Sequence, residues 1–263
     1  MSALGFVANA LFLVAGIYIY VSLLRQIANR ASSALQSESV FGLPEMAVAI
    51  ALATLFVWGS VGSNNGDVTR IKTQQIVAGE IVSLLLISGL IVFLKLRQFN
   101  LTQLTGLARL SFRRAFVTGL ILLIFAYPLI ALADLITTRI LGASSSRQGI
   151  IELFSATPSM PQRVTIIVLA VTIAPIAEEF VFRFFLYGVL RRYAGRAVAM
   201  VLSGLLFAAV HAHLPSFAPL FVLAACFTVA YEWSGSLLVP MSMHALFNAM
   251  MLTELAFPQT FSQ

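Results

Sequence analysis

Eight mostly apolar stretches run along the chain with polar connections between them, and most approach the roughly 20 residues that a helix needs to cross a hydrocarbon core. They are expected at 3–24, 45–62, 75–94, 115–137, 164–190, 197–211, 217–233 and 237–255, the sixth being short for a full crossing. The first begins with no Lys or Arg and is followed by Arg25 and Arg30, so it lacks the basic n-region of a cleavable signal and reads as a retained helix. Turn chemistry marks the connections, with Gly, Ser and Asn at 60–67 and small residues at 142–146. The longest connection, 138–162, holds the apolar run 150–154 and Pro158 and Pro161, and reads as a short interfacial segment. The connection 95–114 carries five basic residues among scattered leucines, a basic amphipathic pattern suited to a headgroup surface. No internal repeat is visible. The expected fold is all-α, a polytopic transmembrane helical bundle of about eight spans.

Composition narrows the picture further. Of 263 residues, 60% are hydrophobic and 10% charged, against about 25% charged in a soluble domain, so too few charges exist to coat a water-soluble globule. Disorder, collagen and a disulfide scaffold are excluded by the hydrophobicity, the lack of a glycine period and the single cysteine. That cysteine, Cys226, lies in an apolar run and reads as a small core residue. The net charge of +6 comes from clusters flanking the apolar runs, which excludes nucleic acid as a partner and leaves the lipid bilayer. With eight spans, ten Lys and Arg fall on one side (Arg25, Arg30, Lys95, Arg97, Arg109, Arg113, Arg114, Arg191, Arg192, Arg196) and five on the other. The richer side is expected in the cytoplasm, with both termini outside.

Ionisable groups at membrane depth cost at least roughly 2.5–3.5 kcal/mol on insertion scales, so those present are functional candidates. They concentrate late in the chain: Glu178, Glu179 and Arg183 in the fifth span, His211 at the end of the sixth, and His244 with Asn248 in the eighth. Glu179 and Arg183 are four apart in the favourable order for an ion pair, whereas Glu178 is turned roughly 100° away and has Val181 and Phe182 at its own i+3 and i+4. Glu178 is therefore the spare carboxylate. Counted inward from the basic ends, Glu178 and His211 both lie roughly 20 Å deep, and His244 and Asn248 roughly 10 and 16 Å, on one face. A carboxylate to take a proton from water, an imidazole beside it and donors for an oxyanion form a hydrolase constellation. Pro175, three residues before Glu178, is expected to bend its helix, a bend that would open room for water or serve only packing.

Other polar positions have plainer readings. His213 is expected at the membrane boundary, Glu80 and Asp134 near an interface or bonded locally, Glu232 beside Trp233 as an interfacial anchor, and Phe207 as a packing residue.

The three clusters, Glu178-Glu179…Arg183, Phe207…His211 and His244…Asn248, lie in order within 71 positions. They resemble the E-E-x-x-x-R, F-x-x-x-H and H-x-x-x-N motifs of the CPBP intramembrane proteases, a group that includes type II CAAX prenyl endopeptidases and bacteriocin-processing or immunity-linked relatives. The resemblance covers roughly 164–251 and divides the chain into 1–140, transmembrane helices with a basic amphipathic loop, and 141–263, catalytic transmembrane helices. It implies an intramembrane endopeptidase acting on a membrane-embedded peptide or a lipidated, CAAX-like protein. In that group Glu178 would activate water with His211, His244 and Asn248 would hold the oxyanion, and Glu179 and Arg183 would orient and neutralise. A metal-free site is the favoured expectation; a divalent metal such as zinc would use Glu178, His211 and His244, although no H-E-x-x-H helix is present. Two other classes compete: a non-catalytic scaffold or bacteriocin-immunity protein, and a proton-coupled transporter, against which stands the absence of repeat-related halves. The expected location is a bacterial plasma membrane.

Overall fold

A computed structural model describes residues 3–30, 41–63, 73–142 and 160–256, and every regular element among them is helical. In chain order these are α1 (Ala3–Asn29), α2 (Leu43–Ser63), α3 (Thr73–Leu96), the single turn α4 (Leu101–Leu104), α5 (Phe112–Leu141), α6 (Met160–Val168), α7 (Ala174–Glu179), α8 (Tyr187–Val210), α9 (Phe217–Ser234) and α10 (Leu238–Ala256). Wider π-helical turns at Leu169–Ile173 and Phe180–Leu186 join α6 to α7 and α7 to α8. The expected interfacial segment at 150–154, the small-residue loop beyond Gly142 and the side chain of Glu80 lie outside the described residues.

Six stretches are long and apolar enough to cross a membrane: Leu4–Asn29, Leu43–Ser60, Val77–Leu96, Phe112–Leu141, Met160–Val210 and Leu214–Ser234. The chain is a multi-pass helical membrane protein. Two features separate six from the eight expected. Helix α10 is not among the six, its apolar run being interrupted by Ser242, His244, Asn248 and Glu254. The expected spans 164–190 and 197–211 are contained in one 51-residue run. Laid straight, that run would measure roughly 76 Å, more than twice the roughly 30 Å hydrocarbon core. It is not straight. Gly195 adopts φ 78° and ψ 168°, a conformation essentially reserved for glycine, and the rings of Phe182 and Phe207 on either side meet edge to face at 5.3 Å. The chain doubles back at Gly195 into a hairpin.

The basic end is closed by contacts between connections. Arg30 donates to the carbonyl of Trp233, whose indole donates to Gln26 at 3.0 Å, so the end of α1 meets the end of α9. Helix α1 runs back along α5, with Tyr20 donating to the Leu122 carbonyl at 3.0 Å. Connection 97–111 turns under the α9–α10 junction, where the Leu237 amide donates to the Thr105 carbonyl at 2.9 Å. Gly106 has φ 66°, and a Cβ there would collide with the Gly235 carbonyl oxygen. This connection, whose basic amphipathic pattern suits a headgroup surface, is bonded to the bundle, and Arg97 pairs at 2.9 Å with the buried carboxylate of Glu45.

The main buried apolar cluster runs from Tyr20 on α1 through Leu122 and Ala126 on α5, Phe184 and Phe185, and Phe227 on α9, to Met243 on α10, and a smaller one joins Ile166 and Ala170 to Leu252. Cys226 is buried in the main cluster. Large apolar side chains such as Leu4, Leu11, Trp58, Leu85 and Ile140 point outward, as they must where the surroundings are lipid rather than water. Helices α1 to α3 show most of their surface, whereas α9 is the most enclosed of the six stretches.

Candidate active site

Three elements bring the polar residues together: α7 with its following π turn, the returning arm of the hairpin, and α10. Glu179 ends α7 and is fully buried; the Arg183 guanidinium, also buried, pairs with it at 3.1 Å from Nε to Oε2. On α10, His244 presents Nδ1 to Glu179 Oε1 at 2.9 Å, and its Nε2 lies 3.9 Å from Glu178 Oε2. A carboxylate paired with a guanidinium only accepts, so Nδ1–H donates to Glu179 and Nε2 is the nitrogen presented toward Glu178. One imidazole thus stands between two adjacent carboxylates.

Aromatic rings wall this group. Arg183 Cζ lies 4.2 Å from the centre of the Phe207 ring and 5.1 Å from that of Phe227, close enough for the ring faces to attract the cation. Nη1 and Nη2 have no hydrogen-bond partner among the described residues, so ring faces, including Phe182 at 6.0 Å, and the charges of Glu179 and then Glu178 stabilise the buried cation. His244 contacts the same rings, at 5.9 Å from Phe207 and 5.2 Å from Phe227. Phe207, expected only to pack, contacts both histidines: it meets His244 edge to face at 5.9 Å and His211 at a tilt at 4.9 Å.

The six expected site residues divide by exposure. Glu179, Arg183 and His244 are buried, whereas Glu178, His211 and Asn248 are half-buried. His211 caps α8 with Nδ1 2.7 Å from the Phe207 carbonyl. Asn248 donates from Nδ2 to the Ala170 carbonyl at 2.7 Å. The imidazole within 4 Å of Glu178 is that of His244; His211 reaches the cluster through Phe207. His213 bonds Ser216 at 2.7 Å, beyond the end of α8.

Residues 160–250 match the family model described as Rce1-like, Type II CAAX prenyl endopeptidase Rce1-like. This segment, about a third of the chain, is similar to that family. It contains all six polar residues of the site and the hairpin that carries four of them, and the family implies a membrane protease. Neither the curated proteins nor the solved structures gave a match to the chain.

Among the described residues no three His, Cys, Asp or Glu side chains are grouped to hold an ion. On both histidines Nδ1 is the engaged nitrogen, by Glu179 for His244 and by a carbonyl of its own helix for His211, which leaves Nε2 as the nitrogen open to a ligand.

A second buried charge cluster escaped the sequence reading. Glu232, expected as an interfacial anchor, is buried: it accepts from the Tyr187 hydroxyl at 2.6 Å, pairs with Arg191, and lies 3.3 Å from Arg196 Nε. Because Arg191 and Arg196 flank Gly195, this carboxylate ties the hairpin bend to α9. The only sequence signal was an acidic residue among apolar ones near a basic loop, which fits an anchor equally well.

Proposed function

We propose that this chain is an intramembrane endopeptidase that hydrolyses a peptide bond in a membrane-associated or lipidated substrate, with Glu178 as the group that activates water. The observation that carries the reading is the placement of His244 between Glu179 and Glu178. Glu178 alone of the pair is partly exposed and is not the carboxylate that pairs directly with Arg183, so it takes a proton from water as the oxygen adds to the scissile carbonyl and delivers it to the departing amine. Glu179 and Arg183 fix the orientation of His244 from behind. His211 and the second N–H of Asn248, both half-buried, would supply the donors aimed at a developing oxyanion.

In the same reading the run Met160–Val210 crosses the bilayer twice, folded at Gly195, and α10 makes a crossing whose polar face is satisfied inside the bundle. Its basic connections face the cytoplasm.

The test is cleavage of lipidated CAAX-like and unmodified membrane peptides by purified protein in lipid nanodiscs, comparing wild type with Glu178→Gln and Glu178→Ala, each with and without chelator. Loss of cutting in both variants is expected. Equal cutting by wild type and variants would remove Glu178 from the mechanism.

A further inference from the structure

Within the peptidase reading above, we infer that Pro175 is a positioning residue: by withholding one backbone N–H it leaves the Ala170 carbonyl as the seat that orients the Asn248 amide. The register of the π turn carries the argument. The Ala174 N–H bonds to the Leu169 carbonyl, five residues back. The next donor in that register, five residues after Ala170, is position 175, and proline has no N–H to give. A buried carbonyl so released needs another donor. Asn248, 78 positions later on α10, supplies it with Nδ2 at 2.7 Å.

An amide nitrogen has two hydrogens. With one fixed on Ala170, the direction of the other is set, so Asn248 meets a substrate oxygen already oriented instead of turning on its own χ2. Preorganised donors of this kind act without reorganising during the reaction. The same bond ties α10 to the segment that bears Glu178, three residues after Pro175, so the proton acceptor and the oxyanion donor are held in one frame. Wider π turns recur at functional sites for such reasons, and here one side chain completes the turn.

Pro175→Ala tests this, with Pro175→Gly as a second variant that restores the same N–H. In each the helix reclaims the Ala170 carbonyl and Asn248 loses its acceptor. Three results are expected for Pro175→Ala: a higher thermal unfolding midpoint, since a helix hydrogen bond is regained; a kcat lowered by roughly ten- to a hundredfold with KM little changed; and no further loss when combined with Asn248→Ala. In protein labelled with 15N-asparagine, the Asn248 side-chain resonances, assigned with Asn248→Ala, should move toward those of a free amide. Unchanged Asn248 resonances in both proline variants would overturn the inference whether or not the chain cleaves anything. Multiplying losses in the double variant would do the same. Failure of the peptidase reading shows differently, as wild-type inactivity with the resonance shift intact, which still supports the Pro175–Ala170–Asn248 coupling.

Discussion

His244 donates from Nδ1 to Glu179 Oε1 at 2.9 Å, across 65 positions of sequence, and this bond sets which nitrogen the imidazole offers to the rest of the site. Glu179 also pairs with Arg183 four residues on, so a single carboxylate anchors both the cation and the histidine. Glu178, its neighbour in sequence, is left half-buried. The division of labour between the two glutamates follows from these two contacts.

The two glutamates should respond differently to the same substitution. Glu179→Gln leaves the Arg183 guanidinium buried without the carboxylate it pairs with, and breaking such a pair costs about 3–5 kcal/mol. A lower thermal midpoint together with lost cleavage is expected. Glu178→Gln should keep the midpoint within a degree or two while cleavage falls by roughly 10²–10⁴. Differential scanning fluorimetry beside a peptide-cleavage assay separates the cases; equal destabilisation by both would contradict this assignment.

Phe207 supports Arg183, His211 and His244 at once. Phe207→Ala should destabilise by about 3–5 kcal/mol as a cavity opens in the core. Phe207→Leu refills most of the space without the ring face, so its loss should be smaller in stability than in activity. Should leucine preserve full cleavage, the ring's attraction for the cation does not matter to the site.

Gly195 holds the hairpin in a conformation that side chains avoid. Gly195→Ala is expected to cost about 1–3 kcal/mol, seen as a lower unfolding midpoint. Gly195→Asn should cost no less, since this φ, ψ pair lies outside the left-handed region that asparagine tolerates. An alanine variant as stable as wild type would argue that the bend relaxes easily.

Glu232 is the counter-charge for Arg191 and Arg196 and the acceptor for Tyr187. Glu232→Gln should lower stability by about 3–5 kcal/mol and leave KM for any cleaved peptide near the wild-type value, because the cluster lies at the hairpin bend. Thermal unfolding with steady-state kinetics on the same samples reads both quantities.

The double crossing of Met160–Val210 is open to direct labelling. In a Cys226→Ser background, which removes the single cysteine, Gln98→Cys and Arg192→Cys should react with an impermeant maleimide from the same side of sealed vesicles. His213→Cys should react from the other. Labelling of all three from one side would leave the hairpin as a structure that does not traverse the bilayer.

Much of the site was legible because membrane helices make polar residues conspicuous. An ion pair at i, i+4 is a local relation, and Glu179 with Arg183 follows from helix geometry alone. The common depth of Glu178 and His211 is consistent with a hairpin reversing at Gly195, which lies between them in sequence. The partner of Glu178 was not legible. Counting along straight rods placed His244 roughly 10 Å shallower than Glu178, yet the π turn at Phe180–Leu186 breaks the straight-rod count and the side chains come within 3.9 Å.

Sequence alone determined that this chain lives in a bilayer, that it is helical, and which few polar residues could not be there by accident, because the cost of burying a charge in hydrocarbon is a property of each residue. Tertiary structure decided which of those residues meet. It turned Glu232 inward to hold the hairpin, gave His244 rather than His211 to Glu178, and set Asn248 on the carbonyl that Pro175 leaves open. Such pairings depend on how separate helices lean and rotate against each other, and no count along one chain contains that information.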